Sequence, residues 1–182
     1  MGYARLYIWV EGPADVRFFE HVVQPLFEKV YDRVEVRPFA GKNADYLRKF
    51  LKSIKSMGAE YIFVRDINGK PCVTARKQIL HQRYTYLEEK KIVIVVQEIE
   101  SWYRAGLSDR DAQRFGFPPC DTTDNMTKEQ LKNLILKRLP KEDFSIIDFM
   151  AEILKYFSLE TATQKNKSFN YFYKRYLANV AS

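Results

Sequence analysis

Six side chains that could hold a hard cation fall at places where a sheet would present them. They are Glu11, Asp15, Asp66, Asn68, Glu98 and Glu100, and each follows an apolar run. Oxygen ligands of this kind suit Mg²⁺ or Mn²⁺. Carboxylates gathered at one point repel each other unless a cation sits among them. A divalent ion that also bridges to phosphate oxygens accounts for an acidic site in a chain of net charge +7 and pI about 9.3. The basic surface would hold a polyanion and the acidic pocket the ion. Each residue also has a simpler role open to it. Asp15 can complement a helix dipole, Asp66 and Asn68 can serve a turn before Gly69, and Glu98 with Glu100 can be a solvated helix start. Glu11 is the hardest to explain without a ligand, because a carboxylate placed straight after a buried strand is costly.

The elements that must position these residues alternate through the first ~105 positions. Tyr3 to Val10 reads as a buried strand, stopped by Gly12-Pro13, with Pro13 suited to the first position of a helix. Phe18, Phe19, Val22, Val23, Leu26, Phe27 and Val30 then form a helical stripe. Val34 to Phe39 is a strand, Ala44 to Met57 a helix, Tyr61 to Val64 a strand, and Val73 to Leu87 a helix. Ile92 to Val96 is a run of β-branched residues fit for the middle of a sheet. The expected fold is therefore α/β, with a mostly parallel four-stranded sheet. Functional groups in such sheets collect past the carboxyl ends of the strands. Beyond residue 105 the pattern is helical. Thr127 and Gln130 make a capping box for a helix through Leu139, and further helices follow from Phe144 to Phe157 and around Phe169 to Tyr176. We expect a single domain over 1–182, its α/β core spanning 1–105 and a helical extension, 106–182, packed on it.

Composition limits the function classes. No run approaches the ~18 apolar residues of a membrane span, and no signal peptide fits the start, which points to the cytoplasm. Cys72 and Cys120 stand far apart and form no CxxC pair, so reduced thiols are expected and a four-ligand zinc site is not. No GxxxxGK[ST] phosphate loop occurs. His21 lies in the apolar stripe of the first helix and His81 on a basic helix face. Trp102 reads as an anchor for the helix that follows the acidic pair.

The short motifs resemble a known family. Glu11-Gly12-Pro13-Ala14-Asp15 resembles the Glu-Gly motif of Toprim domains, in the version of OLD-family nucleases where a second acidic residue follows four positions later. Asp66-Ile67-Asn68 resembles the Asp-x-Asp element, with Asn in place of the second Asp. Gln97 to Trp102 resembles the Glu-Ile-Glu-x-Trp element of short stand-alone Toprim proteins of unknown function, and Lys165 to Phe169 is similar to their Lys-x-Lys-Ser-Phe stretch. The resemblance implies a Rossmann-like Toprim core and Mg²⁺ (or Mn²⁺) held by Glu11, Asp15 and Asp66, with Glu98 or Glu100 completing the site. Asn68 offers a carbonyl oxygen but no charge. The resemblance gives Glu11, Asp66, Glu100 and Lys167 catalytic parts, and it has Lys165 or Lys167 touching phosphate. Lys70, in the loop after Asp66, joins them as a candidate nucleic-acid contact.

The expected activity is metal-dependent cleavage of nucleic-acid phosphodiester bonds, with DNA preferred to RNA. OLD nucleases carry an ATPase domain, so a separate ATPase subunit is an expected partner. Two alternatives stand beside this: a non-catalytic nucleic-acid-binding or regulatory subunit, which Asn68 favours, and primase-like nucleotidyl transfer.

Overall fold

A computed structural model describes residues 3–138 and 145–180. Among them the chain forms two compact units, Met1–Val95 with Asn179–Ser182, and Val96–Ala178. The segment Val96–Ala105 thus groups with the helical unit.

The first unit is an α/β layer structure. Its strands are β1 (Arg5–Val10), β2 (Arg33–Pro38), β3 (Glu60–Asp66) and β4 (Ile92–Val95). They run parallel in the order β2-β1-β3-β4. This is the expected Rossmann-like α/β fold, with every described strand pairing parallel. Near-continuous apolar runs in β1, β3 and β4 follow from burial on both faces; Ile8, Val10, Val64 and Val95 are completely enclosed. β2 lies at the edge and alternates instead, with Arg33 and Glu35 paired along it. β3 extends past the apolar run, taking in Glu60 and Arg65-Asp66, because its pairing with β4 continues to Asp66↔Val95.

The helices of this unit are α1 (Pro13–Phe18), α2 (Gln24–Phe27), α3 (Ala44–Ser56) and α4 (Val73–Arg83). A π-helical turn, Phe19–Val23, joins α1 to α2. The wider turn shifts the apolar stripe. Phe18, Phe19, Val23 and Phe27 are buried, but Val30 lies beyond the helix and is exposed. α3 is amphipathic: Leu47, Leu51 and Ile54 face the core, while Arg48, Lys49, Lys52 and Lys55 face solvent. α4 stops at Arg83 rather than Leu87, because Tyr84 leaves the helical region and packs on Phe63.

The second unit is built around α5 (Ile99–Ala105), every residue of which is buried. Trp102 packs edge-on to Phe169 at 5.1 Å between ring centroids and stacks on Phe172 at 5.3 Å. Around it lie α6 (Asp109–Arg114), α7 (Lys128–Leu136), α8 (Ile146–Leu154), α9 (Leu159–Lys165) and α10 (Lys167–Phe172), which runs into a π-helical turn, Tyr173–Leu177. Thr127 and Gln130 form the expected capping box. Leu139 and Phe144, expected at helix ends, lie outside the described residues. Gly106 is required by close approach: a Cβ there would stand 2.1 Å from a ring carbon of Phe157.

Candidate functional site

The strand order places a topological switch point between β1 and β3. From β1 the chain goes to β2 on one side and then to β3 on the other, so the connections diverge, which is where sheets of this kind form a crevice at the carboxyl ends. Glu11 follows β1 directly and Asp66 is the last residue of β3. β1 and β3 are adjacent, in register Trp9↔Phe63. Two carboxylates, 55 positions apart in the chain, thus stand at neighbouring strand ends on one sheet edge.

Two arginines stand with them: Arg65, which sequence reasoning left without a role, and Arg76, which it put with His81 on a basic, solvated helix face and which is instead buried. Arg65 Nε lies 3.3 Å from Glu11 Oε2. Both atoms are buried and neither makes a hydrogen bond, so the pair is an ionic contact of poor hydrogen-bond geometry. The Arg65 guanidinium also sits over the Phe39 ring, 5.1 Å from its centroid, and Phe39 in turn stacks on Phe63. Arg76, in the first turns of α4, is 6% exposed and donates from Nε to the backbone carbonyl of Asp66 at 2.9 Å. Burial pushes its pKa below the ordinary guanidinium value, and the charge of Arg65 adds to that. Glu11 and Asp66 oppose it. The four charges therefore act on one another within this crevice. Nothing in an isolated sequence marks a buried arginine, since arginine is ordinarily a surface residue; the available signal was only the position of Arg65 next to Asp66.

Asp15 and Asn68 have local structural roles. Asp15 is buried in the first turn of α1 and accepts the Gly12 N–H at 3.0 Å, closing the turn that follows β1. Asn68 and Gly69 both have positive φ, 50° and 65°, and Lys70 N–H donates to the Ile67 carbonyl at 3.2 Å. These are the features of a type I′ turn, which selects Asn-Gly. Asn68 and Lys70 are exposed on it.

The remaining candidates belong to the second unit. Glu98 occupies the N-cap position of α5 without a side-chain bond to that helix, and its carboxylate accepts the Lys128 N–H at 2.7 Å, at the start of α7. Glu100 is buried in the first turn of α5. The Val96–Gln97 peptide bond just before them is cis. The Lys165 ammonium is taken up by Asp109 Oδ1 at 2.7 Å and the Leu107 carbonyl at 3.2 Å. That partner holds the Asp109 carboxyl below its usual range. Lys167 is almost fully exposed, and its ammonium lies 3.4 Å from Asp124.

The acidic-Trp and Ser-Phe motifs meet through Trp102 and Ser168, and through Asn166 and Thr123, which sequence reasoning did not single out. Ser168 Oγ accepts from Trp102 Nε1 at 2.8 Å and from Val96 N–H at 3.3 Å. Asn166, 1% exposed, donates to Ser101 Oγ and Thr123 Oγ1 and accepts from Ser168 Oγ and the Phe169 N–H. This network fixes the segment that carries Glu98 and Glu100 to the one that carries Lys165 and Lys167.

As to a metal, no group of three or more His, Cys, Asp or Glu among the described residues could hold an ion by itself. The crevice of the first unit fits part of a shell. Glu11 and Asp66 are two hard donors at adjacent strand ends, and Glu11 Oε2 is a buried oxygen with no hydrogen bond. One or two carboxylates are what Mg²⁺ ordinarily takes from a protein when water and phosphate supply the rest.

No helix among the described residues is long and apolar enough to cross a membrane. No family model matches the chain, and neither a curated protein nor a solved structure matches it.

Proposed function

We propose that this chain is a Toprim-like, Mg²⁺-dependent hydrolase of nucleic-acid phosphodiester bonds that works in the cytoplasm from the crevice between β1 and β3. One observation carries the proposal: Glu11 and Asp66, remote in sequence, stand at the ends of the adjacent strands β1 and β3 beside the switch point, where parallel α/β sheets bind their ligands. Glu11 and Asp66 are the residues that would hold the ion. Bound there, Mg²⁺ offsets charge on a phosphate and makes water easier to deprotonate. The chain's own part is to fix two carboxylates on rigid strand ends and to draw in the polyanion. Basic residues outnumber acidic ones by 17 to 11 in the first unit and by 13 to 12 across Val96–Ala178. The attraction to nucleic acid, DNA before RNA, therefore resides mainly in the unit that holds the crevice. By resemblance to OLD nucleases a separate ATPase subunit is the expected partner.

A second function, nucleic-acid binding without turnover, is favoured by two features. Asn68 serves an exposed turn, and the two crevice carboxylates already have two guanidiniums for company.

Nicking of supercoiled plasmid with Mg²⁺ or Mn²⁺ separates the two. Wild type should nick. Glu11→Gln and Asp66→Asn should each lower the rate by more than the roughly 10–100-fold typical of outer-shell metal partners, with folding unchanged by circular dichroism. Salt-sensitive binding that persists in EDTA with no nicking under any condition would establish the second function. Template-directed incorporation of labelled nucleotides would instead indicate a primase-like activity.

A further inference from the structure

We infer that Arg65 makes the crevice a paired site, in which a divalent ion and a nucleic-acid phosphate each bind weakly alone and strongly together. This rests on the proposed role of Glu11 and Asp66 as ion ligands.

Glu11 and Asp66 share the crevice with Arg65 and Arg76. A divalent ion entering alone meets two carboxylates but also two guanidiniums, and it must compete with Arg65 for Glu11. A phosphate entering alone meets the guanidiniums but also the carboxylates. Together they suit the site, because the ion takes Glu11 and releases Arg65 to the phosphate.

Arg65 is placed for that exchange. Its contact with Glu11, at 3.3 Å and without hydrogen-bond geometry, is a weak one to break. Its guanidinium rests on the Phe39 ring, which keeps the plane oriented when Glu11 is withdrawn. Nε is buried, yet the side chain keeps 17% of its surface exposed beside Glu11, itself 33% exposed. The planar fork is the group that holds phosphate oxygens in pairs. Arg76 is fixed behind it: it is nine-tenths buried, held by the Asp66 carbonyl, and has a terminal nitrogen without a hydrogen-bond partner. It supplies positive field without leaving its place.

Linkage makes the claim quantitative, since two ligands that favour each other must do so by the same factor in both directions. Mn²⁺ binding is read by electron paramagnetic resonance, with and without a short DNA oligonucleotide. The same oligonucleotide with uncharged methylphosphonate linkages is the control. In wild type the phosphodiester form should tighten Mn²⁺ binding by about tenfold, within the usual span of coupling between sites, and the control should not. Arg65→Gln should bind Mn²⁺ alone several-fold more tightly than wild type, because a competing cation has gone, and its coupling should fall below about twofold. Arg65→Lys, which keeps the charge and the stem but not the fork, should leave Mn²⁺ affinity near wild type and still lose most of the coupling. Unchanged Mn²⁺ affinity and unchanged coupling in both variants would overturn the inference alone, provided Glu11→Gln weakens the ion. Wild type that binds no Mn²⁺, with or without DNA, overturns both this inference and the hydrolase proposal.

Discussion

Asn166 uses nearly its whole hydrogen-bonding capacity inside the second unit. Its amide donates twice, to Ser101 and Thr123, and its carbonyl accepts from Ser168 and from the Phe169 backbone. Removing a buried hub of this kind leaves several enclosed groups without partners, which costs more than the bonds themselves. Asn166→Ala should therefore destabilise the protein by about 2–4 kcal/mol, measured by chemical denaturation. Asn166→Asp should also destabilise, because a carboxylate cannot donate to Ser101 and Thr123. The contrast with Lys167 is instructive. It lies next in sequence, is almost wholly exposed and pairs its ammonium with Asp124, so its replacement should leave stability nearly unchanged. Adjacent residues thus divide between holding the fold and facing solvent.

Among elements, the start of α6 is tied to the end of α9 by Lys165 and Asp109. Lys165 is largely covered, while Asp109 stands at the first position of its helix and is open to water. The ammonium holds the Asp109 carboxyl below its ordinary range. A depressed folded-state pKa contributes stability that is fully present above the unfolded value, roughly 3.9, and is lost as pH falls through the folded one. Wild type should exceed Asp109→Asn in stability by a constant margin above about pH 5, and the margin should shrink below about pH 4. Urea unfolding at several pH values checks this; a margin that persists at low pH would place the effect elsewhere. The result also bears on Lys165, because an ammonium committed to Asp109 and Leu107 contributes to α9–α6 packing first and to phosphate only if that bond opens.

At the scale of the molecule, the excess of basic residues lies in the α/β unit. The exposed face of α3 carries Arg48, Lys49, Lys52 and Lys55, and Lys70 projects from the turn after β3. Asp45 takes up Arg48 and Lys49, and Glu88 takes up Lys55. On the proposed function, affinity for DNA should fall steeply with salt, with a logarithmic slope of about −0.9 for each phosphate neutralised. Lys52→Gln and Lys70→Gln should each reduce that slope by about one if the lysine meets a phosphate. Fluorescence anisotropy from low to moderate salt gives the slope directly, and an unchanged slope in both variants would move the nucleic-acid surface away from α3 and the β3 turn.

Much of this architecture was legible in the residues. β-Branched and aromatic runs marked the four strands, and Gly12-Pro13, Asn68-Gly69 and the Thr127–Gln130 box marked turns and a helix start, because local sterics and hydrogen bonding decide such features wherever they occur. α6 and α9 went unseen, since each buries a single residue and shows no apolar stripe, although the Ser108-x-x-Asp111 spacing was a usable cap signal. Strand order, the switch-point crevice and the meeting of Glu11 with Arg65 belong to tertiary structure alone. Which strand ends become neighbours depends on how distant segments pair. A guanidinium placed against a carboxylate half a hundred residues away leaves no trace in the spacing of either.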